Sequence, residues 1–155
     1  MKDRFTISPS LDGKSHINIH SNGATQLGRL LCDMAHTPFK HPVFGQFESL
    51  EGYRHWLRTG RQHDVLKTLW GQASKIKGGK LPERKDLQYS AYLIEGVHCK
   101  VDQTPDLYEM LLATQLPITC YFVFNDSIRV LKNSKIQVAE FTLIQNGKPL
   151  MYHGW

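Results

Sequence analysis

Glu48-Ser49-Leu50-Glu51-Gly52-Tyr53-Arg54-His55-Trp56 is the stretch whose reading decides the fold. Leu50, Tyr53, Trp56 and Leu57 fall on one half of a helical wheel. A helix is therefore predicted over residues 49–58, with Thr59-Gly60 as its stop. Glu51, Arg54, His55 and Arg58 fall on the other half of the wheel. Two readings of that half stand open. A carboxylate followed by bases three, four and seven residues on is commonly a solvated face that pairs with itself. The same spacing also gathers an acid, an imidazole and two guanidiniums at one place, as chemistry on a phosphorylated substrate requires.

Upstream, residues 15–20 alternate as a short strand, with Ile17 and Ile19 on one side, and Ser21-Asn22-Gly23 ends it. Leu27, Leu30, Leu31 and Met34 recur at helical spacing over residues 24–35, and Thr37-Pro38 breaks the pattern. Residues 38–46, with two prolines and a glycine, read as a loop. Downstream, a third helix is expected with Val65, Leu66, Leu69, Trp70, Ala73 and Ile76 as its core face, ended by Gly78-Gly79 and Pro82. A fourth over residues 86–101 carries Leu87, Ala91, Ile94, Val97 and Val101. Thr104-Pro105 opens a short helix through Ala113.

Beyond Pro117 the character changes. Residues 118–124 are aromatic and β-branched, Asn125-Asp126 is turn-like, and residues 128–131 return as a second strand. Residues 135–144 read as another strand, and Asn146-Gly147 as a hairpin signal. The expected class is α+β, with a predominantly helical middle and a β-rich C-terminal third. At 155 residues the chain is expected to form one domain, residues 1–155.

Composition narrows the function classes. With 41% hydrophobic and 21% charged residues, no long apolar run and no signal-like segment in MKDRFTISPS, a cytoplasmic protein away from membranes is expected. Cys32, Cys99 and Cys120 are odd in number and lack paired ligand spacing, so free buried thiols are expected, with no metal site and no cofactor. The formal net charge of +5 favours an anionic partner such as a nucleotide or nucleic acid. No nucleic-acid reading module accompanies it.

Several segments, in order, resemble the NADAR/YbiA-like N-glycosidase family across residues 17–126. Leu50-Glu51-Gly52-Tyr53 is similar to the family's Ser-Glu-His-Tyr motif, which opens a helix after a proline-containing loop. Ile17-Asn18-Ile19-His20-Ser21 resembles its first strand, and Leu27-Gly28 the start of the next segment. Gln72-Ala73-Ser74-Lys75-Ile76-Lys77-Gly78-Gly79-Lys80 is similar to its Ala-Lys-x-x-Gly-Arg element, and KVDQTPDLYEMLLAT at 100–114 to its Leu-Leu-Ala-Thr pattern. The resemblance departs at the C-terminus. Asp126 matches a family aspartate, but the Trp-Gly and Gly-Lys-Asn elements that should follow are absent.

The resemblance implies a YbiA-like fold and cleavage of the bond between a ribose-type sugar and nitrogen, in ADP-ribose or phosphoribose nucleotides or modified nucleic acid. It implies Glu51 as the functional carboxylate, Asp126 as its partner, and Lys40 as a lysine able to hold the ribose as a Schiff base, aligned by inserting one residue. Chemistry agrees on the first point, since breaking an N-glycosidic bond builds positive charge on the sugar. Arg54 and His55 stand beside Glu51, and Arg29, Lys75 and Lys77 supply further polar or charged groups. Ser21, Asn22 and Gly23 read as an ordinary turn or as a phosphate-binding one. The family's aromatic near the base aligns with Lys85, leaving Tyr89 as the nearest aromatic. Tyr152-His153-Gly154-Trp155 is a candidate to cover the pocket or to contact a second copy. A non-catalytic nucleotide or nucleic-acid binder, and a protein inhibitor using the β-rich edge, are the competing expectations.

Overall fold

Local signals and long-range packing together build the elements of the computed structural model, which describes residues 7–152. Strand β1 (Ile17–Asn18) is short, and it pairs in parallel with β4 (Ile118–Thr119). Helix α1 (Gln26–Leu31) starts at Thr25, whose hydroxyl accepts from the Gly28 N–H, and it ends well before residue 35. Residues 38–46, expected as a loop, instead carry a hairpin of β2 (Phe39–His41) and β3 (Gly45–Phe47). Gly45 makes the turn at φ +88, a region that suits glycine. The reason lies in the core. Phe39 and Phe47 face inward against each other and against Tyr53, while Lys40 points out.

Helix α2 (Leu50–Arg58) is as predicted, with Ser49 Oγ accepting from Gly52 N–H at 3.0 Å and donating to Leu69 O at 2.8 Å. It is not amphipathic in its surroundings. Every residue from Leu50 to Leu57 is buried, because neighbours cover both halves.

The third expected helix is broken. A 3-10 turn (Asp64–Thr68) precedes α3 (Gly71–Gly79), and Gly71 at φ +64 separates them. The expected core face is largely wrong there. Val65, Trp70 and Ile76 are exposed, and α3 packs inward through Ser74 and Gly78. Small residues carry the contact because the helices approach closely. Helix α4 (Tyr89–Gln103) begins later than expected, leaving Leu87 98% exposed. Its Gly96 lies against the Tyr53 ring, 2.2 Å from where a Cβ would sit.

Helix α5 (Leu107–Ala113) begins after Asp106, which is at φ 65 and makes no side-chain cap, rather than at the expected Thr104-Pro105 pair. Strands β5 (Tyr121–Phe124) and β6 (Ser127–Val130) form the expected hairpin, with Asn125 and Asp126 both at positive φ in its two-residue turn. Residues 135–144, expected as a strand, are helix α6 (Lys135–Gln145). Its buried positions are Gln137, Glu140, Phe141 and Ile144, a helical stripe half of which is polar. Glu140 is buried because His98 Nε2 meets its carboxylate at 2.6 Å. Asn146-Gly147 ends this helix instead of turning a hairpin, with Gly147 at φ +107 and the Lys148 N–H bonded to Leu143 O.

The fold is α+β, helices around three two-stranded sheets among the described residues. No helix among the described residues is long and apolar enough to cross a membrane. Cys32, Cys99 and Cys120 are free and buried, and burial pushes the Cys99 thiol up to about 12 and the Cys120 thiol up to about 11.

Candidate functional site

Three- and four-residue spacing on α2 places Glu51, Arg54 and His55 together, and tertiary packing seals them in. Their side chains are 7–8% exposed. Arg54 Nη2 lies 3.2 Å from Glu51 Oε1, and His55 Nε2 lies 3.2 Å from Glu51 Oε2. Arg58 Nε can only donate, and it stands 3.1 Å from His55 Nδ1. With Nδ1 accepting from Arg58, a neutral imidazole carries its proton on Nε2, which faces Glu51 Oε2. Arg54 Nη2, also a donor only, crowds the same nitrogen at 3.1 Å. Arg58 is fixed in turn by Gly78 O at 2.6 Å. The solvated-face reading of this helix half is therefore overturned.

Asp33, which follows the end of α1, completes the cluster. Its backbone oxygen accepts from Glu51 N–H at 2.7 Å, its Oδ2 accepts from Gln137 Nε2 at 2.7 Å, and Arg54 Nε lies 3.8 Å from the same oxygen. Lys100 is fully buried, and its ammonium donates to Cys32 O at 2.7 Å. The Tyr89 phenol, half-buried at the start of α4, is pushed up by burial, with the Arg54 charge opposing the rise.

Charge placement separates the two carboxyls. Burial and then the Glu51 charge push Asp33 up to about 6, against the opposing pull of Arg54 and Lys100. Burial also acts to raise Glu51, but the hydrogen bond from His55 and the Arg54 charge outweigh it and hold this carboxyl below its ordinary value. Burial lowers Lys100 to about 8, with Asp33 opposing the fall.

A cavity of about 560 Å³ adjoins the cluster, lined by Ser21, Asn22, Arg29, Cys32, Met34 and Gln72 among others. The segment 32–35 is the wall between the two, since Cys32, Met34 and Ala35 line the cavity while Asp33 contacts the cluster.

The chain matches no family model and no curated protein. Among solved structures, the NMR structure of the E. coli protein YbiA aligns at a TM-score of 0.62 and 14% identity, covering 86% of this chain and 88% of that one. The chain has a YbiA-like fold. At that identity the likeness concerns the fold, and the chemistry must be argued from the site.

Of the residues singled out in sequence, the YbiA-like fold brings Glu51, Arg54, His55 and Tyr89 together. Ser21 and Asn22 line the neighbouring cavity, while Gly23 is buried in a turn closed by its N–H to His20 O and by Arg29 Nη1 on its own carbonyl. Lys75 is exposed on α3, one turn beyond the cavity-lining Gln72. Lys40 and Asp126 stand apart. Lys40 is exposed on the outer face of β2, its backbone held by Gln103, and Asp126 is exposed in the β5–β6 turn. Neither makes a hydrogen bond or ion pair with Glu51. Tyr152 packs against His41 and Glu95, and residues 153–155 lie outside the described residues.

Sequence reasoning missed Asp33, Lys100 and Gln137. Asp33 trails an apolar helix pattern far from Glu51 in sequence. For Lys100 a signal existed, since it stands among Val97, Cys99 and Val101 on a buried helix.

One contact gives a direct test of the packing. A Cβ at Gly78 would lie 2.1 Å from His55 Cγ. Gly78→Ala is expected to cost about 1–3 kcal/mol through overpacking. It should also move the His55 ring resonances, both read by denaturation and NMR. Unchanged stability with unchanged resonances would contradict the close approach.

Proposed function

We propose that this protein is an N-glycosidase that hydrolyses the bond between a ribose-type sugar and nitrogen in an anionic nucleotide, of the ADP-ribose or phosphoribose kind, free or carried on nucleic acid. The observation that carries this reading is the buried Glu51 carboxylate, kept ionised by Arg54 and His55. An ionised carboxylate in a water-poor setting stabilises positive charge at the anomeric carbon and takes the proton of the attacking water. Arg29, Ser21 and Asn22 on the cavity wall suit phosphate oxygens. Water is the second reactant, so the reaction needs neither metal nor cofactor. The expected place of action is the cytoplasm, where such nucleotides occur.

A second reading, a nucleotide or nucleic-acid binder without turnover, is favoured by one fact. Both Glu51 oxygens already have partners, as in a structural ion pair. Mass spectrometry of a nucleotide panel after incubation with the protein separates the two. Free base with released sugar is the expected result, and intact nucleotide retained on the protein supports the binder instead.

A further inference from the structure

We propose that Asp33 is the proton donor to the leaving nitrogen in the hydrolysis assigned above to Glu51, a reading that rests on that assignment. Geometry comes first. Asp33 is joined to Glu51 through its backbone, to α6 through Gln137, and to Arg54 at 3.8 Å. Two of its neighbours have buried polar atoms with no hydrogen-bond partner, Arg54 Nε and Gln137 Oε1. Gln137 is 1% exposed. Buried donors and acceptors are nearly always satisfied, so a free donor and a free acceptor around one carboxyl mark unused capacity for a polar ligand atom. Cys32, Met34 and Ala35, the residues on either side of Asp33, line the neighbouring cavity.

Electrostatics assigns the roles. Two carboxyls whose surroundings drive them apart make an acid and a base. Glu51 is held below its ordinary value and Asp33 is pushed up to about 6. The groups facing Asp33 are Glu51 and Arg54 from α2, Tyr89 and Lys100 from α4, and Cys120 beside β5. Burial and Glu51 favour its protonated form, and Arg54 and Lys100 oppose them.

The step balances with water alone. Water oxygen bonds to the anomeric carbon as its proton passes to Glu51. The carbon–nitrogen bond breaks with its electron pair going to nitrogen, which takes the Asp33 proton. The products are the sugar hemiacetal and the free N–H base. The proton on Glu51 then returns to Asp33 through solvent.

Asp33→Asn in the full chain keeps the shape and an oxygen for Gln137 but has no proton to give. The probes are adenosine 5′-monophosphate, whose adenine leaves well only when protonated, and nicotinamide adenine dinucleotide, whose nicotinamide leaves neutral without a proton. The variant is expected to lose about 10²–10⁴-fold in kcat on the first and less than about tenfold on the second. Its pH profile should lose the alkaline limb expected of wild type near 6. A carboxyl NMR titration of wild type should find Asp33 with a midpoint near 6, whatever the turnover. Equal losses on both probes, a retained alkaline limb, or an Asp33 midpoint in the ordinary carboxylate range overturns the role of Asp33 alone. Wild type that cleaves neither probe overturns the glycosidase reading, and this role falls with it.

Discussion

Glu51→Gln is expected to lower turnover by about 10²–10⁴-fold while the chain still folds. Glutamine keeps the size of the side chain but removes the charge that meets a developing sugar cation and the basicity that accepts a proton from water. It also presents an NH₂ group where Arg54 Nη2 and His55 Nε2 both donate, so one of those bonds is lost. With the Glu51 charge gone, Asp33 loses one of the two influences that favour its protonated form and is freer to act as the counter-charge for Arg54. The loss of stability is therefore expected near the cost of one buried unsatisfied group, about 1–3 kcal/mol. Steady-state kinetics and a denaturant midpoint measure the two effects separately. A variant that turns over every accepted nucleotide as fast as wild type removes Glu51 from the chemistry.

Phe47→Ala is expected to produce the largest loss of stability, about 3–5 kcal/mol. The Phe47 side chain is fully buried, and its ring lies 4.8 Å from Tyr53, 5.2 Å from Trp56 and 5.8 Å from Phe39. It is the bolt between the β2–β3 hairpin and the inner face of α2. A domain typically holds only about 5–15 kcal/mol in total, so this single truncation consumes a large share of it. Urea unfolding should show a lower midpoint at unchanged slope. A loss under about 1 kcal/mol would mean that the hairpin is peripheral, against the ordinary cost of emptying an aromatic site.

These two residues differ in how visible they were. Phe47 directly follows segment 38–46 with its two prolines and glycine, and nothing local distinguished a loop there from a three-residue strand pair. Its role comes from the rings of Phe39, Tyr53 and Trp56 around it. The α6 segment failed for a related reason. Gln137 and Glu140 occupy two of its four buried positions, so the apolar period was hidden, while its Ile and Val content suggested a strand. Only a partner elsewhere in the chain makes such positions acceptable, and His98 and Asp33 are those partners.

By itself the sequence determined helix α2, the β5–β6 hairpin with its Asn125-Asp126 turn, and the grouping of Glu51, Arg54 and His55. These follow from residue type and from spacing along a rod or strand, which are local properties. Tertiary structure alone decided whether that group is a wet surface or a buried site, and which second carboxyl stands beside Glu51. Asp126, the partner expected from sequence, turns a hairpin, and Asp33 lies in the cluster. The physical reason is that burial belongs to the surfaces that meet. Helix α2 is covered on its polar half by segment 32–35, by α3 at Gly78 and by Tyr89 of α4, and no local pattern within α2 records that cover.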